Sequence, residues 1–152
     1  MKTQEVTFNL KLELAVANMD SKLNIYDIAK SYKEYKVDPL KVKAWKIDFH
    51  PSGKELLSGS TGLWLSNAED GTLIKEFSTD SRFITSLKYS PTGKLIATGN
   101  VDGGLILYKT EDYNSIAALE DHALTIRDIN FTRDETAVLS ASDDMHINVT
   151  DL

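Results

Sequence analysis

The sequence predicts an all-β fold made of repeated, four-stranded antiparallel sheets. One reason is that apolar residues recur at every second position, as at Leu105 and Leu107, which is the period of a strand with two faces. Another is that the pattern repeats, because Phe49, Tyr89 and Phe131 occupy corresponding positions with spacings of 40 and 42 residues. Helical spacing is not sustained anywhere in the chain.

A second register supports the same repeat. Six-residue alternating segments begin at Leu23, Leu63, Leu105 and Ile147, with spacings of 40, 42 and 42 residues. Four units therefore share one pattern, and we expect them to form a single domain over residues 1–152. The units cover residues 1–37, 44–77, 84–120 and 126–152.

Turn residues separate the strands within each unit. In Pro51-Ser52-Gly53 and Pro91-Thr92-Gly93 the proline presets φ and the glycine tolerates positive φ, while Asp102-Gly103-Gly104 suits a tight hairpin. The first unit lacks a Pro-x-Gly turn between its first two strands and is the least regular, and the last unit has three strands. The predicted strands are 3–8, 12–18, 22–28 and 31–37, then 44–49, 54–60, 62–68 and 72–77, then 84–90, 95–100, 104–110 and 115–120, and finally 126–132, 137–142 and 146–152.

Composition excludes several classes of function. The 152 residues are 41% hydrophobic and 26% charged, as expected for a globular chain. Without cysteine there is no disulfide framework, thiolate zinc site or cysteine nucleophile, and the chain suits a reducing compartment. The apolar runs are too short to cross a membrane, and the beginning of the sequence lacks the pattern of a signal peptide. A net charge of −6 without a basic cluster disfavours direct binding to nucleic acid.

Several motifs stand at fixed places in the repeat. They are FHPSGK from Phe49, YSPTGK from Tyr89, the turns Asn18-Met19-Asp20, Asn100-Val101-Asp102 and Ser142-Asp143-Asp144, and the dipeptide Asp121-His122. With a four-stranded repeat of about 40 to 45 residues, this array resembles the WD-repeat β-propeller family. The Trp-Asp dipeptide of that family is only approximated, as Tyr26-Asp27 and Thr150-Asp151. The resemblance implies that the chain is a partial propeller of just under four blades.

Segments 44–60, 82–108 and 119–144 further resemble the WD-repeat subunits of superkiller complexes, which in animals are also associated with the Paf1 transcription-elongation complex. That resemblance implies a seven-bladed scaffold in RNA decay, located in the cytoplasm and nucleus and without catalytic activity. It also implies two protein partners, a helicase and a tetratricopeptide-repeat subunit. The chain would correspond to about the second to fifth blades.

The length of the chain is the main departure from a seven-bladed ring. Seven blades need about 300 residues, and an open array exposes sheet faces and unpaired strand edges. Three arrangements would resolve this: a fragment of a longer protein, self-association of two copies through open blade edges, or a partner that caps the array. We favour the fragment.

The resemblance also assigns roles to polar side chains. His122, Ser140 and Asp144 match part of a hydrogen-bonded tetrad that holds blades together in WD-repeat proteins. The fourth position is Thr150, which lacks the indole donor of tryptophan. The same residue types form hydrolase triads, but the chain has no Gly-x-Ser-x-Gly motif. We therefore predict a partial structural tetrad and no catalytic residue.

The sequence predicts no metal or cofactor site. His50 and His146 are expected to be exposed residues in or beside turns, and the carboxylate pairs fall in connections between strands. The glycine-rich segments 59–62 and 103–104 do not lead into a helix that could hold a phosphate.

Five residues are predicted to face a protein partner. Trp45, Phe83 and Arg127 fall at or just before the start of a first strand, and Val101 and Asp143 lie in turns. Large aromatic and arginine side chains in such places suit binding hot spots. The alternative for Trp45 and Phe83 is that they fill space between neighbouring sheets. The rival functions are a self-associating structural module and an enzyme or small-molecule binder that uses the propeller channel.

Overall fold

The computed structural model describes residues 3–9, 13–18, 23–27, 33–36, 44–79 and 82–152. Within these ranges, fifteen strands form four antiparallel sheets. The described residues contain no helix, and so none with the length and apolarity needed to cross a membrane. The predicted all-β fold of repeated sheets is confirmed, and each predicted strand is present with ends within two residues of the prediction.

Strands that are consecutive in the chain pair side by side in every sheet. The first sheet contains β1 (Thr3–Phe8), β2 (Glu13–Asn18), β3 (Leu23–Asp27) and β4 (Lys33–Lys36). The second contains β5 (Lys46–Phe49), β6 (Glu55–Gly59), β7 (Leu63–Asn67) and β8 (Leu73–Phe77). The third contains β9 (Ile84–Tyr89), β10 (Leu95–Asn100), β11 (Gly104–Lys109) and β12 (Ser115–Glu120). The fourth contains β13 (Ile126–Phe131), β14 (Ala137–Ser142) and β15 (Ile147–Asp151).

The chain divides into two compact units. The N-terminal unit is residues 1–81 and holds the first two sheets, and the C-terminal unit is residues 82–152 and holds the other two. That all four sheets form one domain stays a prediction.

The two sheets of the N-terminal unit pack through alternate residues of their strands. One face of β2 and β3 meets the face of β5 and β6 that carries the first aromatic of the repeat. Burying one leucine or isoleucine side chain contributes about 1.5–3 kcal/mol, so the alternation of the sequence supplies the energy that joins the sheets. The buried cluster contains Ala15, Ala17, Leu23, Ile25, Ala44, Ile47, Phe49, Leu56 and Ala68.

The C-terminal unit repeats this packing. Ala97, Leu105 and Leu107 of the third sheet meet Ile126, Ile129 and Val138 of the fourth in one buried cluster. Gly99 allows the sheets to approach, since a Cβ there would lie only 2.7 Å from Ile126 Cγ2. A hydroxyl also links the sheets, because Thr85 Oγ1 donates to the Ile126 carbonyl at 2.6 Å.

One turn position has a positive φ in three sheets. The angle is +70° at Gly53, +77° at Gly93 and +57° at Glu135, which the sequence repeat places in register. The left-handed region is unfavourable for glutamate. At Glu135 the side chain compensates, because its carboxylate accepts hydrogen bonds from the backbone N–H and the hydroxyl of Thr92.

Candidate functional site

A polar cluster forms in the C-terminal unit where two connections meet a strand. His122 follows β12, and its N–H donates to the Gly103 carbonyl at 3.2 Å. Ser140 lies in β14, and Asp144 lies in the turn between β14 and β15. Gly103 has φ +88°, and a Cβ there would lie 2.0 Å from the His122 carbonyl oxygen. Glycine is therefore required for the two connections to approach.

His122 joins the other two residues of the predicted tetrad. Its Nδ1 lies 2.9 Å from Asp144 Oδ2, and its Nε2 lies 2.9 Å from Ser140 Oγ. In a neutral ring Nδ1 donates to the carboxylate, and Nε2 accepts from the hydroxyl. The structure thus brings these three side chains together, and the burial of His122 and Ser140 is consistent with a role in holding the sheets.

Asp144 ties the connection between β12 and β13 to the turn between β14 and β15. Its Oδ2 accepts the Ala123 N–H at 3.0 Å, and its Oδ1 accepts the His146 N–H at 2.9 Å. Burial by itself would raise the pKa of Asp144, but these backbone donors and the His122 ring together hold that pKa well below its usual range. The carboxylate is therefore ionised at neutral pH.

The fourth position of the network differs from the prediction. Thr150 Oγ1 donates to Asp121 Oδ2 at 3.5 Å, and Ser140 Oγ lies 3.3 Å from the same oxygen. The backbone of Asp121 is fixed as well, since Asn148 Nδ2 donates to its carbonyl at 2.6 Å. Asp121 thus extends the network from Ser140 to Thr150. The sequence signal for it was a carboxylate at the place where the family motif has glycine.

The contacts of Ser140, His122 and Asp144 are those of a hydrolase triad, but the group is closed to substrate. Ser140 is 1% exposed, and the His122 side chain is 0% exposed. A scissile carbonyl group cannot reach Ser140 Oγ in this conformation, whatever the basicity of the histidine. The arrangement can hold two connections in place, and it cannot attack a substrate here.

A second group of residues lies on connections of the same unit and at the start of β13. We call Val101, Leu124, Arg127 and Asp143 the loop surface. Arg127 Nε lies 2.9 Å from both Asp143 carboxylate oxygens, and Nη2 lies 2.5 Å from Oδ2. Hydrogen bonding to Arg127 lowers the pKa of Asp143, and the carboxylate raises the pKa of Arg127. The pair is exposed, so it adds little to stability and presents both charges to solvent.

The apolar members of the loop surface stand on a fixed backbone. Val101 is 38% exposed and Leu124 is 51% exposed. Thr125 Oγ1 donates to the Val101 carbonyl at 2.9 Å, and Ser142 Oγ donates to the Leu124 carbonyl at 2.9 Å. Sequence reasoning missed Leu124, because a single leucine in a connection carries no periodic signal.

The two aromatic candidates have different settings. The carbonyl of Phe83 accepts the Val101 N–H at 3.1 Å, and the Phe83 side chain is half-buried. Trp45 belongs to the N-terminal unit, is 36% exposed, and donates its N–H to the Gly59 carbonyl at 2.8 Å. Whether either ring faces a partner or fills space between sheets stays a prediction.

The other histidines belong to local turns. His50 Nδ1 accepts the Ser52 N–H at 3.0 Å, and the His146 side chain is 76% exposed. Across the described ranges, no group of three or more histidine, aspartate or glutamate side chains is placed to hold a metal ion.

Comparison with protein-family models matches residues 71–109 and 113–151 to the WD40 family, described as "WD domain, G-beta repeat". The two segments together cover just over half of the 152 residues. Each begins before the last strand of one sheet, β8 or β12, and continues through three strands of the next. A sequence repeat is therefore offset by one strand from a sheet of the structure.

Curated relatives show the same likeness over most of the chain. The WD repeat-containing protein SL1-17 of Schistosoma mansoni is 30% identical over 91% of this chain and 46% of its own length. The meiotic recombination protein rec14 of Schizosaccharomyces pombe is 27% identical over 72% of this chain and 37% of its own length. The WD repeat-containing protein VIP3 of Arabidopsis thaliana is 25% identical over 82% of this chain and 44% of its own length. The chain spans less than half the length of these relatives.

Proposed function

Because the chain belongs to the WD40 family, whose members generally act as protein-interaction scaffolds, we propose that it is a non-catalytic scaffold that binds another protein through the loop surface. The observation that carries this proposal is the combination of exposed side chains and fixed backbone at Val101, Leu124, Arg127 and Asp143. A rigid backbone lowers the entropy lost on binding, and arginine beside apolar side chains is typical of binding hot spots.

The hydrogen bonds of the polar network fix the backbone that carries the loop surface, which supports the same function. Asp144 accepts hydrogen bonds from Ala123 and His146, which flank the residues of the loop surface in the chain. Asp143, next to Asp144, donates its N–H to the Thr125 carbonyl at 3.0 Å. The connections that carry Leu124 and Asp143 are therefore held together before any partner binds.

The more specific proposal is a WD-repeat subunit of the superkiller RNA-decay assembly, shared with the Paf1 transcription-elongation complex. It is supported by the resemblance of segments 44–60, 82–108 and 119–144. The partners would be a helicase and a tetratricopeptide-repeat subunit, and those subunits rather than this acidic chain would contact the RNA. The location would then be both cytoplasmic and nuclear.

The experiment is a pull-down of purified tetratricopeptide-repeat and helicase subunits by the immobilised chain and by Arg127→Ala and Leu124→Asp variants. We expect each variant to bind at least about tenfold more weakly, as hot-spot substitutions do. Arg133→Ala is the matched control, because Arg133 is an exposed arginine just beyond the opposite end of β13. Thermal unfolding of each variant checks that the fold is kept.

Two outcomes would count against these proposals in different ways. If neither subunit binds the native chain but another protein does so through Arg127 and Leu124, the scaffold function stands and the superkiller assignment fails. If a partner binds and neither substitution weakens it, the loop surface is not the binding site.

A further inference from the structure

A cleft lies between the third and fourth sheets of the C-terminal unit. Its volume is about 490 Å³, within the range of about 300–1,000 Å³ that is typical of ligand sites. It is formed by the start of β10, the end of β11 and the turn between β13 and β14. Because Val101 of the loop surface follows the other end of β10, the cleft is separate from that surface. The lining residues are Lys94, Leu95, Lys109, Thr110, Glu111 and Glu135.

Hydrogen bonds fix the backbone that carries the two lysines of the cleft. Lys109 pairs with Leu95 across β10 and β11, and the Thr110 N–H donates to the Lys94 carbonyl at 2.9 Å. The Leu95 N–H donates to Ser90 Oγ at 3.1 Å. The two lysines therefore stand on one preformed framework, which lowers the entropy lost when a ligand binds.

One wall of the cleft is a side chain at a position where other sheets have glycine. Glu135 has φ +57°, and Gly53 and Gly93 occupy the corresponding turn positions. The Glu135 carboxylate accepts hydrogen bonds from the N–H and the hydroxyl of Thr92, the second at 2.8 Å. Strained backbone conformations that are held in place by such contacts are concentrated at functional sites.

In the described part of the chain, the ammonium groups of Lys94 and Lys109 have no ion-pair partner. Two carboxylates lie near enough to interact with them electrostatically, Glu135 with Lys94 and Asp112 with Lys109. Glu135 is held by the neighbouring turn, and Asp112 accepts the N–H and the side-chain amide of Asn114 at 3.0 and 2.7 Å. Both ammonium groups therefore remain available to an anionic group of a ligand.

The other lining groups favour one kind of anion. The aliphatic stems of the two lysines and the half-buried Leu95 side chain give the cleft apolar walls. Glu111 is exposed, and its side chain bonds to no other described residue, so it opposes a ligand of high negative charge. A peptide glutamate fits these walls better than inorganic phosphate does, because it carries a single charge and methylene groups that can contact Leu95.

We propose that the cleft binds an acidic, glutamate-containing segment of a partner protein, with a glutamate carboxylate held by Lys94 and Lys109 and its methylene groups against Leu95. Charge complementarity to the two lysines is the argument for this occupant. The chain would then have binding surfaces at both ends of β10, as a scaffold that joins two proteins requires. The cleft does not depend on the loop surface, so the two proposals can fail separately.

The test is a fluorescence-polarisation titration of a labelled peptide of alternating glutamate and leucine with the 152-residue chain. We expect saturable binding that weakens as sodium chloride is added, because salt screens exposed charges. Lys94→Glu and Lys109→Glu should each raise the dissociation constant at least about tenfold, because a repulsive charge replaces an attractive one. Glu111→Gln should lower the dissociation constant, because it removes the opposing carboxylate.

Lys54→Glu is the matched control. Lys54 is exposed and follows the corresponding turn of the second sheet, outside the cleft. The variant changes the net charge by the same amount as Lys94→Glu and should leave the dissociation constant unchanged. A peptide with glutamine in place of glutamate tests the need for the carboxylate, and thermal unfolding of each variant checks that the fold is kept.

Three results would overturn the proposal. A native chain that does not bind the glutamate peptide saturably has no such site. Equal affinity for the glutamate and glutamine peptides would mean that the carboxylate is not recognised. An equal loss of binding in Lys54→Glu and in the two cleft variants would mean that binding follows the net charge of the chain and not the cleft.

Discussion

At the scale of single residues, we expect Asp144 to contribute to the stability of the C-terminal unit. Its carboxylate accepts hydrogen bonds from His122, Ala123 and His146. Asp144→Asn removes the charge and replaces one acceptor by a donor, so these partners cannot all be satisfied. We expect a lower urea midpoint for the variant at pH 7, measured by circular dichroism. Asp102→Asn, at a carboxylate that is 63% exposed, is the control and should change the midpoint little.

The difference in urea midpoint between the native chain and Asp144→Asn should depend on pH, because the pKa of Asp144 is lowered in the folded state. The ordinary value is 3.8, and the folded value is lower, so the stabilisation is complete above about pH 5 and is lost as the pH falls through 3.8 towards the folded pKa. The difference in urea midpoint between the native chain and Asp144→Asn should be smaller at pH 3 than at pH 7. A gap at pH 3 as large as that at pH 7 would contradict this assignment.

Met145 has a strained backbone conformation, and burial of its side chain does not compensate for that strain. Its φ is +69° and the residue is 95% exposed. Met145→Gly should stabilise the chain by about 0.5–1 kcal/mol, because glycine occupies the left-handed region without the penalty of a Cβ. Met145→Ala keeps the Cβ and should give no such gain. Equal urea midpoints for the two variants would show that the strain is absent.

Sequence reasoning reached some of these residues and missed others for a physical reason. His122, Ser140 and Asp144 could be found because motif positions identify them one at a time. Asp121 stood at a motif position but its contacts were not predicted, and Leu124 was missed, because both roles depend on which connections meet in space.

At the scale of sheets and strands, Gly99 sets the distance between the third and fourth sheets. A Cβ at this position would lie 2.7 Å from Ile126 Cγ2 and 3.0 Å from Ile129 Cδ1. Gly99→Ala should destabilise the chain by about 1–3 kcal/mol in urea unfolding, as overpacking of a core does.

A second background keeps this prediction specific. Ile126→Gly removes both Ile126 atoms that the new Cβ would approach, Cγ2 at 2.7 Å and Cβ at 2.8 Å, so Gly99→Ala should cost less in that background than in the native chain. If the cost is the same in both backgrounds, the loss arises from the backbone of β10 and not from the contact with the fourth sheet.

Strand positions were the most predictable feature of this chain. Alternation indicates which residues can share a face, and turn residues such as Pro51-Ser52-Gly53 and Pro91-Thr92-Gly93 mark where strands end. Each of the fifteen strands in the described residues lies within two residues of its prediction. The corresponding turn of the fourth sheet, Arg133-Asp134-Glu135, was less predictable, because Glu135 takes the positive φ that glycine has in the second and third sheets. Glu135 accepts hydrogen bonds from Thr92, which is 43 residues away in sequence, so no local sequence pattern could predict them.

At the scale of the whole molecule, the division of the chain into two compact units determines which part of the chain each spectroscopic signal monitors. Both tryptophans, Trp45 and Trp64, lie in residues 1–81, one of them 36% exposed and the other 8% exposed. Indole emission therefore monitors the melting of that half alone, whereas far-ultraviolet ellipticity monitors the strands of both. Superimposable curves from the two signals would mean that the halves lose their structure in one concerted step, and an earlier change in emission would identify residues 1–81 as the weaker half.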